Sequence, residues 1–466
     1  MRRRFIVIGL TLIIALSTQP AAAQTPTPSP GPVYIVQSGD SLWSLALRFN
    51  TTITDIQTIN NLPGQEIYAG QKLVIPGLEG MTGTLTTRPV AFGETLLSLA
   101  RQYAVPEANL RKLNHIVTPI QLYAGYSLTL LEQQDKPSWT GRTSVAKGET
   151  LLEAAVKQNT DPWTVAEINS LSGTWDSLPG DVLFLPGSAS TAETTGLPAI
   201  FDSISADPLP MVQGATVQIK VVPAQPVTLS GTLMDRPLHF FSAGDGSQVA
   251  LQGIYALTDP GVYPLRIDAT LADGTLQSFE QEVPARAGSF LSETLTVDPE
   301  TIDPSITGPE DQWLAETTSA ATPQKLWQGI FHLPVDNQDC IRSRYGTRRS
   351  YNSGAYHGFH SGVDFGVCSQ THPWDIYAPA DGVVVYTGLK IVRGNVTIID
   401  HGWGIYSAMF HQSEIYVKVG DHVTAGQLIG KIGDTGRVTG PHLHWDLWVN
   451  GVQVDPLLWL NNEFPH

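Results

Sequence analysis

Apolar positions near the N-terminus change spacing in an order that predicts four short elements. The stretch "YIVQSGDSL" alternates apolar and polar residues and then enters a turn, which is typical of a strand. Leu42, Leu45 and Ala46 follow with helical spacing behind Asp40 and Ser41, either of which can cap a helix. "ITDIQTIN" predicts a second short helix, and "AGQKLVIPG" predicts a returning strand that stops at its proline. The predicted order is therefore strand, helix, helix, strand.

The same pattern occurs three times along the chain. The stretches "SGDSLWSLALRF", "FGETLLSLARQY" and "KGETLLEAAVKQ" align, and their glycines are separated by 93−39=54 and 148−93=55 residues. Asparagines and a second set of glycines keep this register through each unit. The residues in register are Gly39, Gly93 and Gly148, then Asn60, Asn114 and Asn169, then Gly70, Gly125 and Gly180. This repeat predicts three small modules, over residues 33–77, 86–132 and 142–187.

Residues 199–288 have a different pattern, in which short alternating runs are separated by Gly, Pro and Asp turns. Examples are "VQIKVVPA", "VTLSGTL" and "GVYPLRIDATL", and strands at such spacing predict an immunoglobulin-like antiparallel β-sandwich. An acidic, proline-rich linker is predicted next, over residues 296–325. The last segment, residues 326–466, again has the pattern of mostly short strands.

The N-terminus has the order of a secretory signal. Three arginines precede a twelve-residue apolar stretch from Phe5 to Leu16, and three alanines precede Gln24. The apolar stretch is shorter than the roughly 20 residues of a spanning helix, and an uncleaved anchor is the alternative. We therefore expect a signal peptide over residues 1–23, a Pro-rich spacer over 24–32, and a protein secreted or held in the cell envelope. No stable membrane span is expected once the signal is removed.

Net charge and histidine content narrow the class of partner and locate the chemistry. The formal charge is −16 at pH 7, whereas nucleic-acid binding needs clustered Lys and Arg, so we expect no nucleic-acid partner. The sequence leaves the oligomeric state open. Ten of the twelve histidines lie from His332 onward, so the last domain is the candidate for catalysis or metal binding.

Two pairs of residues in this last domain have metal-binding spacing. "FHSGVDFG" places His360 and Asp364 four residues apart, where its glycines disfavour a helix and an extended backbone puts both side chains on one face. In "GPHLHWDL", His442 and His444 also share a face if the stretch is a strand. Imidazole and carboxylate are ordinary zinc ligands, and a hydrolytic zinc site uses three protein ligands. His411, in "YSAMFHQS", follows an alternating strand and is a further candidate.

A purely structural interpretation is open for each histidine. An isolated His-x-His is often a pair of half-exposed residues on a sheet. We expect His401, in "IDHGWG", to shape a turn, and we expect His357, His372 and His422 to be surface residues and not ligands.

The motifs, taken in order, resemble the lysostaphin-type zinc endopeptidases of bacterial cell walls. H-x-x-x-D, a later His at the end of a strand, and "VKVGDHVTAGQLIGKIGDTGRVTGPHLHWDL" carry the resemblance, which covers Ile341–Leu458. It implies a mostly antiparallel β catalytic domain, over residues 326–466, with one zinc ion per chain. The implied zinc ligands are His360, Asp364 and His444, and the implied catalytic residues that are not ligands are His411 and His442.

Two positions depart from the family pattern. Asp446 follows Trp445 where Glu is usual, and Met409-Phe410 precedes His411 where Tyr with a small residue is commoner. The departures concern side-chain details of the cleft. Which of the two catalytic histidines accepts a proton from water and which stabilises the oxyanion stays open.

The repeats resemble the lysin motif (LysM), a small βααβ module that binds glycans containing N-acetylglucosamine. The match is strong over residues 33–77, whereas the second unit is degenerate and ends in "LTLLEQQ", and the third departs less. The alternative for the second and third units is that they serve only as spacers.

Together, the resemblances imply an exported peptidoglycan hydrolase. It would be a zinc metalloendopeptidase that cuts peptide cross-links of the bacterial cell wall, with its lysin-motif repeats anchored to glycan. Tethering raises the local concentration of substrate, so weak modules suffice. Two alternatives are a catalytically inactive regulator of other cell-wall hydrolases and a glycan adhesin with a structural last domain. The sequence does not indicate which cross-link would be cut.

Cys340 and Cys368 bracket the first metal motif. An even number of cysteines in an exported chain allows one disulfide. Because three ligands without sulfur already complete the implied zinc site, we expect this pair to form a disulfide. It would close a loop of roughly 28 residues and contribute on the order of 3 kcal/mol in the chain-entropy model. Zinc ligation by the cysteines is the alternative.

Overall fold

The structure is a computed structural model that describes residues 31–118, 121–132, 139–146, 148–187, 196–297, 302–354, 356–368 and 371–466. The expected signal peptide (1–23) and most of the expected spacer (24–32) lie outside the described residues. The chain divides into two compact units, Met1–Thr84 and Leu85–His466. Within the described ranges, every helix is too short or too polar to cross a bilayer.

Each repeat has the predicted order of strand, helix, helix, strand, so the prediction of βααβ modules is confirmed. Repeat 1 contains β1 (Val33–Ile35), α1 (Leu42–Arg48), α2 (Ile53–Ile59) and β2 (Lys72–Val74). Repeat 2 contains β3 (Thr84–Pro89), α3 (Leu96–Tyr103), α4 (Glu107–Asn114) and β4 (Ser127–Glu132). Repeat 3 contains β5 (Trp139–Ser144), α5 (Leu151–Lys157), α6 (Pro162–Ile168) and β6 (Val182–Pro186).

The first helix of every repeat begins at a hydroxyl side chain. Ser41, Thr95 and Thr150 are the N-caps of α1, α3 and α5, and each accepts a hydrogen bond from the backbone amide three residues later. The side chain at that third position bonds back to the N-cap amide, which completes a capping box. The cap in repeat 1 is thus Ser41, while the Asp40 carboxylate accepts hydrogen bonds from the Tyr34 hydroxyl and the Gln37 amide.

The recurring asparagine fastens the second helix of each repeat to the returning strand. The Asn60 side chain donates to the carbonyls of Ile56 and Val74 and accepts from the Val74 amide. Asn114 and Asn169 make the same three hydrogen bonds in their own repeats. One amide side chain can satisfy all three because it carries two N–H donors and a carbonyl acceptor. The register seen in the sequence therefore corresponds to equivalent contacts.

Residues 201–286 form two β-sheets over a shared core. Their strands are β7 (Phe201–Asp207), β8 (Met211–Val212), β9 (Thr216–Pro223), β10 (Thr228–Leu233), β11 (Arg236–Pro237), β12 (Phe241–Ser242), β13 (Gln248–Gly253), β14 (Gly261–Thr270) and β15 (Leu276–Arg286). One sheet has the order β12-β13-β9-β7 and the other β11-β10-β14-β15-β8. Ile219 and Val221 of the first sheet and Leu265 and Ile267 of the second are fully buried in one cluster. The immunoglobulin-like topology itself stays a prediction.

The segment expected to be a linker, residues 296–325, contains a helix, α7 (Pro304–Thr317). Asp303 caps it and Pro304 occupies its first turn, both favourable at a helix N-terminus. Leu314 is buried with Tyr406 and Phe410 of the last domain. The linker prediction is therefore corrected here, because apolar contact with the last domain stabilises a helix that its composition disfavours.

Glu310 fixes the same helix to the last domain by hydrogen bonds. Its carboxylate accepts from three consecutive backbone amides, those of Ile391, Val392 and Arg393, at 2.5, 3.0 and 3.3 Å. The Arg393 guanidinium also donates to Glu310, at 3.2 Å, and to Asp311, at 2.6 Å. A buried carboxylate with this many donors is well satisfied. The acidic residues of the expected linker are thus contacts of the last domain.

The C-terminal region is built mainly on one large, mostly antiparallel sheet. The elements of this region are β16 (Ser292–Leu295), β17 (Ile341–Ser343), β18 (Arg348–Tyr351), β19 (Tyr356–Phe359), β20 (Val363–Phe365), β21 (Asp375–Tyr377), β22 (Gly382–Lys390), β23 (Gly394–Gly402), β24 (Ile405–Ile415), β25 (His422–Val423), β26 (Leu428–Ile432), β27 (Leu443–Val449), β28 (Val452–Val454) and α8 (Pro456–Trp459). The main order is β17-β20-β27-β24-β23-β22-β25. The strand β27 therefore lies between β20 and β24, in the middle of the sheet.

The two-sheet region and the C-terminal region share a hydrophobic core. Val249, Leu251 and Ala256 of the former belong to the same buried cluster as β20, β24 and β27 of the latter. The Asn450 side chain donates to the Leu251 carbonyl at 2.6 Å, and Trp459 Nε1 donates to Thr216 Oγ1 at 2.9 Å. The two regions therefore pack against each other as parts of a single domain do.

Candidate metal centre

Three side chains that the sequence singled out converge on neighbouring strands. His360 directly follows β19, Asp364 lies in β20 and His444 lies in β27, where Asp364 and His444 are cross-strand partners. His360 Nε2 and His444 Nδ1 are each 2.9 Å from Asp364 Oδ1 and 3.0 Å from one another. All three residues are buried. Together they form a cluster of the kind that holds a metal ion.

Gly362 permits this convergence by its lack of a side chain. A Cβ at this position would lie 2.2 Å from the Trp445 carbonyl oxygen and 2.8 Å from His444 Nε2. Both distances are far below van der Waals contact. The glycine is therefore required for close approach of the chain to β27.

Hydrogen bonds to the outer nitrogens set the tautomers of the two histidines. His360 Nδ1–H donates to the Arg344 carbonyl at 3.1 Å, and His444 Nε2–H donates to Asp446 Oδ1 at 2.6 Å. In their neutral forms the rings therefore direct a lone pair from His360 Nε2 and from His444 Nδ1 toward Asp364 Oδ1. Three acceptors this close repel one another unless a cation, either a metal ion or a proton on His444, lies among them. Two imidazole nitrogens and one carboxylate oxygen are a donor set that fits zinc.

The electrostatics of the cluster also favour a cation. Burial opposes protonation of His444, but the carboxylates of Asp446 and Asp364 outweigh it and raise the pKa of His444 to about 9. Burial alone would raise the pKa of Asp364, yet His360 and His444 hold it well below its usual value. Burial lowers the pKa of His360. The site thus keeps its carboxylate ionised and attracts positive charge.

His411 and His442 lie side by side next to the cluster, with ring centroids 4.9 Å apart. Each ring donates its Nδ1–H to a backbone carbonyl at 2.8 Å, His411 to Thr435 and His442 to Gly440. The Nε2 atoms are left for other partners, and that of His442 is 3.7 Å from Asp364 Oδ1. Burial, with the neighbouring imidazoles of His442 and His444, lowers the pKa of His411 to about 3, so its ring is neutral at pH 7.

The backbone at His411 has an unusual conformation. Its φ of 63° lies in the left-handed region, which costs energy for a residue with a side chain. The pairing of β23 with β24 shifts register between Asn395 and Thr397, opposite this residue. Such irregularities often re-aim a side chain beside an active site. Here the irregularity brings His411 next to His442.

Several residues around the cluster were not identified from the sequence. Asp446 holds His444 and is itself bonded by Ser361, at 2.9 Å, and by Gln453, at 2.9 Å. Asp446 had a detectable signal, because it follows His444 by two residues in β27 and continues the His442, His444 alternation. The two departures from the family pattern are thus both in contact with His444: Asp446 by a hydrogen bond, and Phe410 by a stacked ring, with centroids 5.1 Å apart and planes at 10°.

Arg349 was also not identified. Its Nη2 is 3.4 Å from Asp364 Oδ2, the carboxylate oxygen that faces away from the two histidines. Arg349 lies in β18 and Asp364 in β20, two strands that belong to different sheets. No spacing in the sequence indicates this contact.

Among the described side chains, the remaining histidines do not join the cluster. His401 is fully buried within β23, which corrects the expectation that it shapes a turn. Its Nδ1–H donates to the Asp381 carbonyl and its Nε2 accepts from Ser407 Oγ. His372 and His422 are exposed, as expected. The side chain of His357 lies outside the described residues.

Cys340 and Cys368 are joined by a disulfide, with their Cα atoms 5.7 Å apart. This confirms the expected pair. The cross-link ties the start of β17 to the loop after β20. It therefore closes a 28-residue segment that contains both His360 and Asp364.

Comparisons with known proteins agree with this geometry. The model of peptidase family M23 matches residues 358–456, and the LysM domain model matches residues 34–76 and 90–130. The peptidoglycan DD-endopeptidase ShyA of Vibrio cholerae is 40% identical over 132 residues, 28% of this chain and 30% of that protein. The DD-carboxypeptidase/endopeptidase Mpg of Neisseria gonorrhoeae is 38% identical over 98 residues, 21% of this chain and 22% of that protein.

Among solved structures, the antimicrobial peptidase lysostaphin of Staphylococcus simulans is 36% identical. The similarity covers 24% of this chain and 48% of that chain, with a TM-score of 0.21. In this chain, an antiparallel sheet brings together two histidines and a carboxylate, a donor set that fits a metal ion. Residues 358–456 thus match peptidase family M23, and residues 34–76 and 90–130 match the LysM domain. The chain spans less than a third of the length of the two curated relatives above.

Proposed function

We propose that the protein is an exported peptidoglycan hydrolase, a zinc-dependent endopeptidase that cleaves peptide cross-links of the bacterial cell wall. The observation that carries the proposal is the convergence of His360 Nε2, Asp364 Oδ1 and His444 Nδ1 beside the paired rings of His411 and His442. Three ligand atoms are what a hydrolytic zinc site requires, and the two further histidines are groups that can transfer protons beside it. A regulator without activity would not need all five side chains.

Zinc fits the cluster because its preferred ligands are the atoms present. His360, Asp364 and His444 would hold the ion, and the Arg344 carbonyl and Asp446 would orient the two rings. A bound zinc ion supplies Lewis acidity, which polarises a peptide carbonyl and lowers the pKa of water to about 7. Three protein ligands leave room for water or substrate, which a structural zinc site does not.

His411 and His442 would act on the proton and on the developing oxyanion. With Nδ1–H held by a backbone carbonyl, each ring presents Nε2, which accepts a proton when neutral and donates a hydrogen bond when protonated. The low pKa of His411 favours the neutral ring, which can accept a hydrogen bond from water. The neighbouring His442 would then stabilise the oxyanion or protonate the leaving amine.

Peptidoglycan is proposed as the substrate because two independent features agree. Similar proteins are named as peptidoglycan DD-endopeptidase and DD-carboxypeptidase/endopeptidase. LysM domains in the same chain supply a means of holding the glycan strands. We therefore propose that the glycan is bound by repeats and the peptide is cut by the C-terminal domain. A D-amino-acid cross-link is the bond that the relatives' names favour.

Repeat 1 is the best candidate for the glycan contact. Trp43, Leu47 and Tyr68 are 67%, 68% and 69% exposed, and such a group of exposed apolar side chains on a small module favours an interaction surface. In repeat 2, the equivalent loops form hydrogen bonds with the two-sheet region of the same chain. The Gly93 amide donates to Gln281 Oε1 at 2.7 Å, and the Ala124 amide donates to the Glu282 carbonyl at 3.0 Å.

The same proposal includes export of the protein, an immunoglobulin-like sandwich over residues 199–288, and zinc as the metal. A signal peptide ending at residue 23 would deliver the chain to its substrate outside the cytoplasm. N-terminal sequencing of exported protein should find Gln24 first. Finding Met1 at the N-terminus of that material would contradict the signal peptide.

The function is tested by incubating the full chain with purified peptidoglycan and analysing the released fragments by mass spectrometry. We expect cleaved peptide cross-links, loss of cleavage after chelation and recovery after one equivalent of zinc. Intact cross-links with zinc-loaded protein would exclude the enzyme and favour the regulator. Binding to peptidoglycan without metal in the protein would favour the adhesin.

A further inference from the structure

A strand from outside the matched family segment lies next to the metal cluster. The strand β16 (Ser292–Leu295) pairs in parallel with β18 (Arg348–Tyr351), and Glu293 is the partner of Arg349 in this register. The peptidase family model begins at residue 358. Both strands therefore precede the segment that the family model covers, although β18 continues through β19 to His360.

Arg349 connects β16 to the metal cluster. Its side chain is only 15% exposed, and its Nε donates to Glu293 Oε1 at 2.6 Å. Its Nη2 donates to Ser343 Oγ at 3.2 Å and to Asp364 Oδ2 at 3.4 Å. The planar guanidinium can serve these partners at once because its donors point in fixed directions. Glu293, Arg349 and Asp364 thus form one continuous row of opposite charges.

The two carboxylate oxygens of Asp364 have different partners because of the position of Arg349. Oδ1 lies among the histidine nitrogens, and Oδ2 faces Arg349. The guanidinium therefore orients the carboxylate so that one oxygen is directed to the metal position. A cation so close to a ligand also has a cost, because it repels a divalent ion on the other side of the same carboxylate.

Glu293 offsets that repulsion. Its carboxylate is closer to Arg349 than Asp364 is, 2.6 Å against 3.4 Å, so much of the positive charge is neutralised on the far side from the cluster. The hydrogen bonds of the guanidinium remain available to hold Asp364. The pair thereby supplies orientation without an unbalanced charge.

We propose that Glu293 and Arg349 are positioning residues of the metal site, and that β16 belongs functionally to the peptidase domain. The inference rests on the zinc site of the proposed function. It extends the catalytic unit to a segment before α7, which joins the two-sheet region to the C-terminal sheet. Removing a group that hydrogen-bonds to a metal ligand typically weakens metal affinity by 10- to 100-fold.

The test is the zinc dissociation constant of the full-length protein, measured by competition with a chromogenic chelator and without any substrate. Glu293→Gln keeps the size and removes the charge, and we expect it to weaken zinc about 10-fold. Arg349→Met removes the orienting donors, and we expect a loss of roughly 10- to 100-fold. Because Glu293 acts through Arg349, the double variant should bind zinc no more weakly than Arg349→Met alone.

The matched control is Glu94→Gln in repeat 2, where Glu94 and Arg88 form a similar, partly buried pair at 2.6 Å. Its zinc affinity should stay within twofold of that of the unchanged protein. Thermal unfolding of the metal-free proteins separates positioning from folding, since a purely structural pair would lower the unfolding temperature and leave zinc affinity unchanged. If Arg349→Met does not fold, Arg349→Lys keeps the charge without the fork and should still weaken zinc.

The inference is overturned if folded Glu293→Gln and Arg349→Met, or Arg349→Lys in its place, bind zinc as tightly as the unchanged protein. It is also overturned if the effects of the two single substitutions add in the double variant, because the residues would then act independently. An unchanged protein that binds no zinc would remove the proposed function itself. Tight zinc binding by every variant would leave that function intact and remove only the role of Glu293 and Arg349.

Discussion

His442 and His444 are two residues apart and face one cleft, yet their nitrogen atoms meet different groups. His444 Nδ1 lies 2.9 Å from Asp364 Oδ1 and its other nitrogen is held by Asp446. His442 Nε2 is 3.7 Å from the same Asp364 oxygen, and its Nδ1 bonds a backbone carbonyl. The local geometry thus favours His444 as the proposed ligand and leaves His442 beside it.

Metal content and activity should therefore separate at some of these positions. Replacing His360, Asp364 or His444 by Ala should remove most of the zinc and all measurable cleavage, because a ligand atom is lost. His442→Ala and His411→Ala should keep about one zinc per chain, while turnover falls by on the order of 10² to 10⁴. Metal analysis of the five variants beside a wall-turbidity assay measures both properties.

Three outcomes would contradict this assignment. Loss of zinc in His442→Ala would mean that the roles of His442 and His444 are reversed. An unchanged protein without zinc would support the structural interpretation of the histidines. Absence of cleavage by a zinc-loaded unchanged protein would support the regulator.

His401 makes stability depend on pH. Burial lowers its pKa to about 4, even though the Asp381 carbonyl favours the charged ring, whereas an unfolded histidine has a pKa near 6.5. The folded state therefore binds fewer protons than the unfolded state. The stabilisation is complete above pH 6.5 and is lost as the pH falls toward 4, by about 3 kcal/mol in total.

Urea unfolding of metal-free protein between pH 7 and pH 4 measures this effect. His401→Gln, which does not titrate, should be less stable at pH 7 but should lose less free energy of unfolding on acidification. The two pH profiles should converge near pH 4. Parallel profiles would show that His401 does not contribute to the acid sensitivity.

At the scale of elements, the three repeats share one fold but differ in what surrounds their first helix. Trp43 and Leu47 of α1 are exposed, whereas Arg101, at the position of Leu47 in α3, is buried against repeat 3 and donates to the carbonyls of Asn169 and Val182. A family resemblance therefore does not by itself identify a binding module, since the same surface can serve to join two modules.

Substitutions at equivalent positions test the difference. Trp43→Ala should reduce the amount of full-length protein that sediments with insoluble peptidoglycan, by roughly 10-fold if the ring contributes about 1.4 kcal/mol. Leu97→Ala, at the equivalent position of α3, should leave sedimentation unchanged. Equal losses in both variants would mean that repeat 2 also binds glycan, and no loss in either would exclude this surface.

The sequence predicted elements and modules better than it predicted contacts. Local signals were sufficient for the βααβ repeats, because capping residues and apolar spacing act within a few residues. The ligand candidates His360, Asp364 and His444 were named by motif, and the structure groups them. Arg349, by contrast, reaches Asp364 from a strand of a different sheet, and no local pattern indicates this contact. Helix α7 was missed because Gly308 and Pro309 disfavour a helix that packing stabilises.

At the scale of the whole molecule, the predicted peptidase domain, residues 326–466, is not a self-contained unit in its contacts. It shares a core with the two-sheet region, and α7 covers another face of its sheet. A fragment of residues 326–466 would expose these apolar surfaces and would also lack Glu293. We expect a fragment of residues 199–466 to fold and the shorter fragment to lose roughly 5 kcal/mol or more of unfolding free energy, or to aggregate.

Chemical denaturation and size-exclusion chromatography of the two fragments make the comparison. The longer fragment should be soluble with a cooperative transition. A monomeric short fragment with the same unfolding midpoint would show that the shared core and α7 are dispensable.

The pairing of Asp364 with His444 across β20 and β27 also constrains how related chains can change in length. Side chains alternate faces along a strand, so a deletion of one residue within β20 would turn Asp364 away from His444 and destroy the ligand pair. Residues 366–368, 371–374 and 434–441, which lie outside the strands, carry no such parity. In related chains we therefore expect insertions and deletions in those segments, where new side chains could reshape the site for other peptides. The lengths of β20 and β27 should stay the same.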